Sequence, residues 1–97
     1  MGLYNIVMGQ MICPRCHQLC QVEVETRLGD VSQVQTLHVG DCYPWPQNRR
    51  PPRGNANGEG YCECPICGKD FFVWVQVASD EIVSLQVDPN RAGYIPD

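Results

Sequence analysis

Two short segments govern what this chain can become: Cys13-Pro14-Arg15-Cys16 and Cys64-Pro65-Ile66-Cys67-Gly68-Lys69. In each, two residues separate the cysteines, so both sulfurs can face one ion while the backbone makes a tight turn. Proline at the second position presets φ at about −65°, as the first central residue of a type I turn requires. The N–H groups that follow can donate to the first sulfur and offset its negative charge. Gly68 offers left-handed backbone as the chain leaves the second turn. His17 holds the matching place in the first, and His is among the residues that tolerate positive φ. Four thiolates with no open position suit one tetrahedral Zn²⁺ in a structural role. Cys13, Cys16, Cys64 and Cys67 are therefore the expected ligands, and Arg15 and Lys69 are cations beside an anionic cluster.

A chain of 97 residues reads as a single domain over 1–97, and one that buries only about 60–65% of its unfolded surface. Metal binding answers that shortage, because structural zinc contributes about 10–16 kcal/mol of apparent binding energy in zinc-finger peptides, and this becomes folding energy. The competing explanations are disulfides or buried thiols. Seven cysteines is an odd number, and four of them form the two pairs, which favours metal in a reducing compartment. No Lys or Arg precedes Arg15 and no long apolar stretch follows the start, so no secretory signal is legible; Ile6 stands where myristoylation would want Ser or Thr. The expectation is a cytoplasmic protein with no membrane span, since a span needs roughly 20 apolar residues. Cys62 could replace Cys64 as a ligand only by forfeiting the Cys-Pro-x-Cys turn. Cys20 and Cys42 read as core or half-exposed thiols, and His17 and His38 as residues with local roles.

Patterning points to an all-β fold. Residues 3–8 and 10–12 read as short strands entering the first turn. Gln21–Leu28 alternates with period two, placing Val22, Val24, Thr26 and Leu28 on one face. Gly29-Asp30 then offers a two-residue turn into a partner strand over Val31–Val39. That hairpin pairs Val22 with Leu37 and Leu28 with Val31, and brings Cys42 opposite His17; Val34 and Thr36 break the alternation and imply a bulge. Residues 41–61 hold four Pro and three Gly, a density that predicts an irregular loop with no strand or helix. A second hairpin runs through Phe71–Val77 and Ile82–Val87, setting Val73, Val75 and Val77 against Val87, Leu85 and Val83. The tail, 88–97, reads as irregular.

At its two cysteine turns the sequence resembles the zinc-ribbon and rubredoxin-like superfamily, whose members bring two such knuckles together at hairpin tips around one ion. It also resembles small uncharacterised ribbon proteins of bacteria and phages in Met1-Gly-Leu-Tyr-Asn5, Cys13–Cys16, Val22-Glu-Val-Glu-Thr26 with Gly29-Asp30, and Cys64–Lys69. The likeness covers about half the chain. It implies two β-hairpins joined by the long Pro/Gly/Arg loop, and one structural zinc. Because Cys64-Pro-Ile-Cys-Gly-Lys-Asp-Phe-Phe72 is similar to the second knuckle of rubredoxins, iron and electron transfer form an alternative; the first knuckle departs from that pattern with His17 in place of Gly. Ser79-Asp80-Glu81 resembles the acidic tip of transcript-cleavage ribbons, but follows the second knuckle rather than lying between the two, so a solvated turn is the simpler reading.

Charge narrows the partners. The net charge of −4 falls to about −6 when four thiolates hold one divalent ion, a field that repels nucleic acid and anionic membrane. The exception is local: Arg49, Arg50 and Arg53, flanked by Tyr43, Trp45 and Tyr61. Trp, Tyr and Arg dominate interface hot spots, so Trp45, Arg49, Arg50 and Arg53 are candidate binding residues for a protein partner. The competing role for these aromatics is to staple the loop onto the sheet. Nucleic-acid binding is the alternative, with Arg gripping phosphate and Trp45 stacking a base. A monomer or homodimer is expected, because small hairpins leave edges for pairing. No phosphate-cradling motif or Ser/His/Asp constellation appears, and the only nucleophile–base pair, Cys42 with His17, depends on the hairpin register above. The expectation is a non-enzymatic module.

Overall fold

From Leu19–Thr26, strand β2, Cys20, Val22, Val24 and Thr26 turn inward while the residues between them face solvent. The partner of β2, however, is the segment before it. The computed structural model describes residues 4–28, 35–45, 50–91 and 93–95. Within it, β1 (Asn5–Ile12) pairs antiparallel with β2 along its whole length, from Asn5 opposite Thr26 to Ile12 opposite Leu19. Of the expected hairpin of 21–28 with 31–39, the described residues 35–39 do not pair with β2, whose neighbours are β1 and Ala56–Glu63. Leu37 belongs to a three-residue strand, β3 (Thr36–His38), which runs parallel to β1 with Leu37 beside Val7. Val22 faces Gly9 instead. The Gly29-Asp30 turn, Val31 and Val34 lie outside the described residues. The physical reason for the change is that β1 has its own inward period: Asn5, Val7 and Met11 are buried, and β2 meets it across a turn of only six residues rather than through a second connection.

The Pro/Gly-rich stretch also departs from expectation. Pro52–Gly54 forms a 3₁₀ turn, and Ala56–Glu63 is strand β4. Its inward positions are Gly58, Gly60 and Cys62, with Asn57, Glu59 and Glu63 outward. A Cβ on Gly60 would lie 2.3 Å from Val24 Cγ1, and one on Gly58 2.7 Å from Leu28 Cβ. Neighbouring strands already fill the space that a larger side chain would take, so here glycine permits the strand rather than breaking it. β4 pairs with β5 (Asp70–Ala78) from Ala56 opposite Val77 to Glu63 opposite Asp70. β5 in turn pairs with β6 (Glu81–Val87). Val73 faces Val87 and Val75 faces Leu85 as the sequence predicts. A bulge after Gln76 then sets Val77 against Ile82, not Val83.

The result is one six-stranded sheet in the order β3-β1-β2-β4-β5-β6, not two hairpins joined by a loop. The sheet curls until its ends meet. Gly40 N–H donates to Ile82 O (2.7 Å), Ile82 N–H to Asp41 O (3.0 Å) and Tyr43 N–H to Asp80 O (2.6 Å). Cys42 consequently sits opposite Glu81, not opposite His17. Val7, Val22, Val24, Val73, Val75 and Ile82 fill the interior with no more than 1% of their surface exposed. Residues 88–91 and 93–95 form no strand and run back along β5: Asp88 N–H donates to Phe72 O. No helix among the described residues is long and apolar enough to cross a membrane.

Candidate metal centre

Each cysteine pair sits at the turn between two paired strands, the first between β1 and β2 and the second between β4 and β5. The two turns repeat one hydrogen-bond scheme. His17 N–H donates to Cys13 O (2.8 Å) and Cys13 N–H to Gln18 O (3.0 Å). Gly68 N–H donates to Cys64 O (2.9 Å) and Cys64 N–H to Lys69 O (2.8 Å). His17 and Gly68 both adopt positive φ, at 62° and 73°. As the spacing predicts, main-chain N–H groups point at the leading sulfurs: Arg15 and Cys16 donate to Cys13 Sγ at 3.3 and 3.4 Å, and Ile66 to Cys64 Sγ at 3.4 Å.

The curl of the sheet brings the two turns together. Sγ of Cys13, Cys16, Cys64 and Cys67 all lie within 4.8 Å of one another. Across the turns, Cys13 and Cys67 sulfurs are 3.9 Å apart and those of Cys16 and Cys64 are 3.7 Å apart. A disulfide requires about 2.05 Å, so these are separate sulfurs. A tetrahedron with metal–sulfur bonds of about 2.3 Å has edges of about 3.8 Å, which the two cross-turn pairs match. These four side chains can therefore hold a metal ion. Cys13 and Cys64 are buried, while Cys16 and Cys67 are half-buried.

Electrostatics agree with a cation site. Burial pushes the Cys64 thiol up, but the N–H groups of Cys67 and Ile66 outweigh it and hold it at about 6. The Gln18 backbone pulls Cys16 down, yet burial and the three neighbouring sulfurs push it up to about 12. Without a cation, one thiolate therefore suppresses ionisation of the next; a divalent ion removes that repulsion and lets all four deprotonate. Cys62 and Cys20 stand apart from the four. Burial, and then the neighbouring sulfurs, push them to about 12 and 11. Cys62 is 2% exposed and is a core residue of β4, and Cys42 is exposed at the seam.

Arg15, the cation within the first knuckle, serves the scaffold. Arg15 Nη1 donates to Asp70 O at 2.8 Å and lies 3.6 Å from Asp70 Oδ1, and its Nη2 donates to Ile95 O. Asp70, fully buried, was not singled out by sequence reasoning. Burial pushes its carboxyl up, but the N–H of Ile95, the Tyr61 hydroxyl and the N–H of Tyr94 hold it at about 2. It thus ties the tail, β4 and the first knuckle to the residue that follows the second. Its nearest legible signal is its position directly after Cys-Gly-Lys.

Of the proposed binding residues, Arg49 lies outside the described residues. Trp45 donates from Nε1 to Asp80 Oδ1 (2.9 Å) and packs on Tyr43, with ring centroids 4.7 Å apart. Arg50 makes a bidentate pair with Asp80, at 2.9 and 2.8 Å. Arg53 is exposed in the 3₁₀ turn with φ 61°. Trp45 and Arg50 therefore have partners within the chain, as the stapling alternative requires, and the Ser79-Asp80-Glu81 turn is an anchoring point rather than a merely solvated tip.

Compared with protein-family models, curated proteins and solved structures, the chain matches none of them.

Proposed function

We propose that this is a zinc protein in which a single Zn²⁺, held by Cys13, Cys16, Cys64 and Cys67, fixes a curled β-sheet that serves as a non-enzymatic protein-interaction module. The observation that carries the reading is the convergence of four sulfurs on tetrahedral spacing. When all four positions are taken by sulfur, none is left for water or substrate, which is the mark of a structural rather than a catalytic site. The ion would supply the cross-link between the β1–β2 and β4–β5 turns. The chain's own contribution is the set of N–H donors aimed at the Cys13 and Cys64 sulfurs. Two features support an interaction role: the net charge of −4, and an outer surface on which aromatic and acidic side chains share a concave cleft.

Native mass spectrometry of protein isolated from its host without reconstitution tests this. One zinc per chain together with a co-purifying protein is the expected result. A visible iron–sulfur absorption with no partner would instead establish the rubredoxin-like alternative.

A further inference from the structure

β2 is paired with β1 over all its residues, but with β4 only at Glu25–Tyr61 and Thr26–Gly60. Continuing that antiparallel register by two residues would set Glu23 directly opposite Glu63. Like charges facing one another across a ladder are destabilising, and the ladder stops just short of that pair. Around that point lies a cleft of about 630 Å³, lined by Gln21, Glu23 and Glu25 of β2 and by Tyr61, Cys62 and Glu63 of β4. Glu25 and Tyr61 also line a second hollow of about 840 Å³, the far end of the groove, that includes Glu59, Phe72, Arg91 and Tyr94. Both volumes fall in the range of about 300–1,000 Å³ that ligand clefts occupy. None of the ion pairs among the described residues involves Glu23, Glu25 or Glu63.

The far end of the cleft displays the chemistry it favours. Arg91 lies 3.9 Å from the Phe72 ring centroid and pairs with Glu59 at 3.2 Å. Tyr61, Phe72 and Tyr94 form a three-ring step with centroid distances of 5.2 to 5.9 Å. A guanidinium stacked on an aromatic face beside a carboxylate is the arrangement by which proteins hold arginine, and here the chain supplies its own. The near end has the ring and the carboxylates without the cation.

We infer that the cleft between β2 and β4 is the docking groove for an extended basic segment of a partner protein, whose alternate Lys or Arg side chains enter between Glu23, Glu25 and Glu63 beside the Tyr61–Phe72–Tyr94 step. This rests on reading the protein as an interaction module. Alternate side chains of an extended segment recur every 6.6 Å or so, the same repeat that separates Glu23 from Glu25 along β2.

The test uses the metal-loaded full chain and a fluorescein-labelled Arg-Thr repeat peptide, with a Ser-Thr repeat as control, read by anisotropy at low salt. The Arg-Thr peptide is expected to bind and the Ser-Thr peptide not. Glu23→Gln and Glu25→Gln should each weaken binding by about tenfold. Glu81→Gln, which removes the same charge from an exposed position on β6, should change it by less than about twofold. Tyr94→Ala should weaken binding by about threefold through lost stacking, a loss that general charge attraction does not produce. Equal losses for Glu81→Gln and Glu25→Gln, or no binding at all, would overturn the groove. If no peptide binds while native mass spectra still contain a partner, the groove alone is wrong; spectra with no partner speak against the interaction role itself.

Discussion

His17 and Gly68 share one backbone conformation, φ 62° against 73°, at equivalent positions of the two cysteine turns. Only one of them is a residue for which that conformation is free of strain. For a residue with a Cβ, left-handed backbone costs about 1–2 kcal/mol. Gly68→Ala should therefore lower stability by about that amount, since no atom within 4 Å would obstruct the new Cβ and backbone strain is the only penalty. His17→Gly should be neutral or gain up to about 1 kcal/mol, the relief being partly offset by glycine's unfolded-state entropy. Guanidinium denaturation of metal-loaded protein measures both.

The cysteines differ sharply in placement: Cys64 is one of the four clustered sulfurs, Cys62 is buried outside the cluster and Cys42 is exposed. Cys64→Ser should abolish binding of the metal and the cooperative unfolding transition with it. Cys62→Ala should keep one ion per chain and cost about 1 kcal/mol through lost packing. Cys42→Ser should leave stability unchanged within about 0.5 kcal/mol. Metal content by elemental analysis and unfolding curves separate the three, and loss of metal from Cys62→Ala would make Cys62 a ligand.

Tyr61 donates its hydroxyl to Asp70 Oδ2 at 2.7 Å. That bond, then burial and the Asp70 charge, push its ionisation up to about 12. The folded value is raised above the unfolded one, so this contribution to stability is fully present below about pH 10. It is lost as pH rises through 12, where the folded protein also gives up the proton. Tyr61→Phe should remove that alkaline decline. Phenolate absorbance followed during a pH titration should show one fewer late-titrating tyrosine in the variant.

Asp80 gathers Trp45 and Arg50 onto the β5–β6 turn. Asp80→Asn tolerates the positive φ of 66° at this position but removes the charge. It should lower the melting temperature, shift tryptophan emission to the red as Trp45 loosens, and narrow its difference from wild type at high salt, because the Arg50 pair is exposed and screened. An unchanged emission spectrum would mean that Tyr43 packing alone holds Trp45.

Gly60 of β4 pairs with Thr26 of β2. Gly60→Ala would force a Cβ to within 2.3 Å of Val24 Cγ1 and should cost about 1–3 kcal/mol through overpacking. Thermal unfolding measures the loss.

The convergence of Cys13, Cys16, Cys64 and Cys67 was legible in the sequence, because the turns that carry them are specified locally. Proline, spacing and the residue after each second cysteine specify the turn without help from the rest of the chain. The same locality made the Val73–Val87 and Val75–Leu85 pairs of β5 and β6 readable. What failed was the pairing of β2. Its alternation shows which face is buried, but any antiparallel neighbour satisfies that requirement, and Gly29-Asp30 offered a turn while uncharged β1 offered no pattern. β4 was missed for a related reason. Its inward residues are Gly58, Gly60 and Cys62, so the period of two is written in small side chains rather than apolar ones. Trp45 and Arg50 showed the opposite ambiguity: residue types favoured at interfaces are also those that clamp a loop, and the sequence gives no sign of the contacts both make with Asp80.

The four sulfurs come from opposite halves of the polypeptide, and this sets an order of events during synthesis. When the β1–β2 unit emerges from the ribosome it already carries Cys13 and Cys16 in a formed or forming turn, yet Cys64 and Cys67 are still to be translated. At elongation rates of about 5–20 residues per second, those first two thiols wait seconds for their counterparts. If the four sulfurs hold the ion proposed above, only half of that cage exists during the interval, and a passing oxidant finds a free dithiol. On the reading proposed above, the cage can close only once the second turn has left the exit tunnel, so metal supply and translation speed would together set how much of the chain acquires its ion.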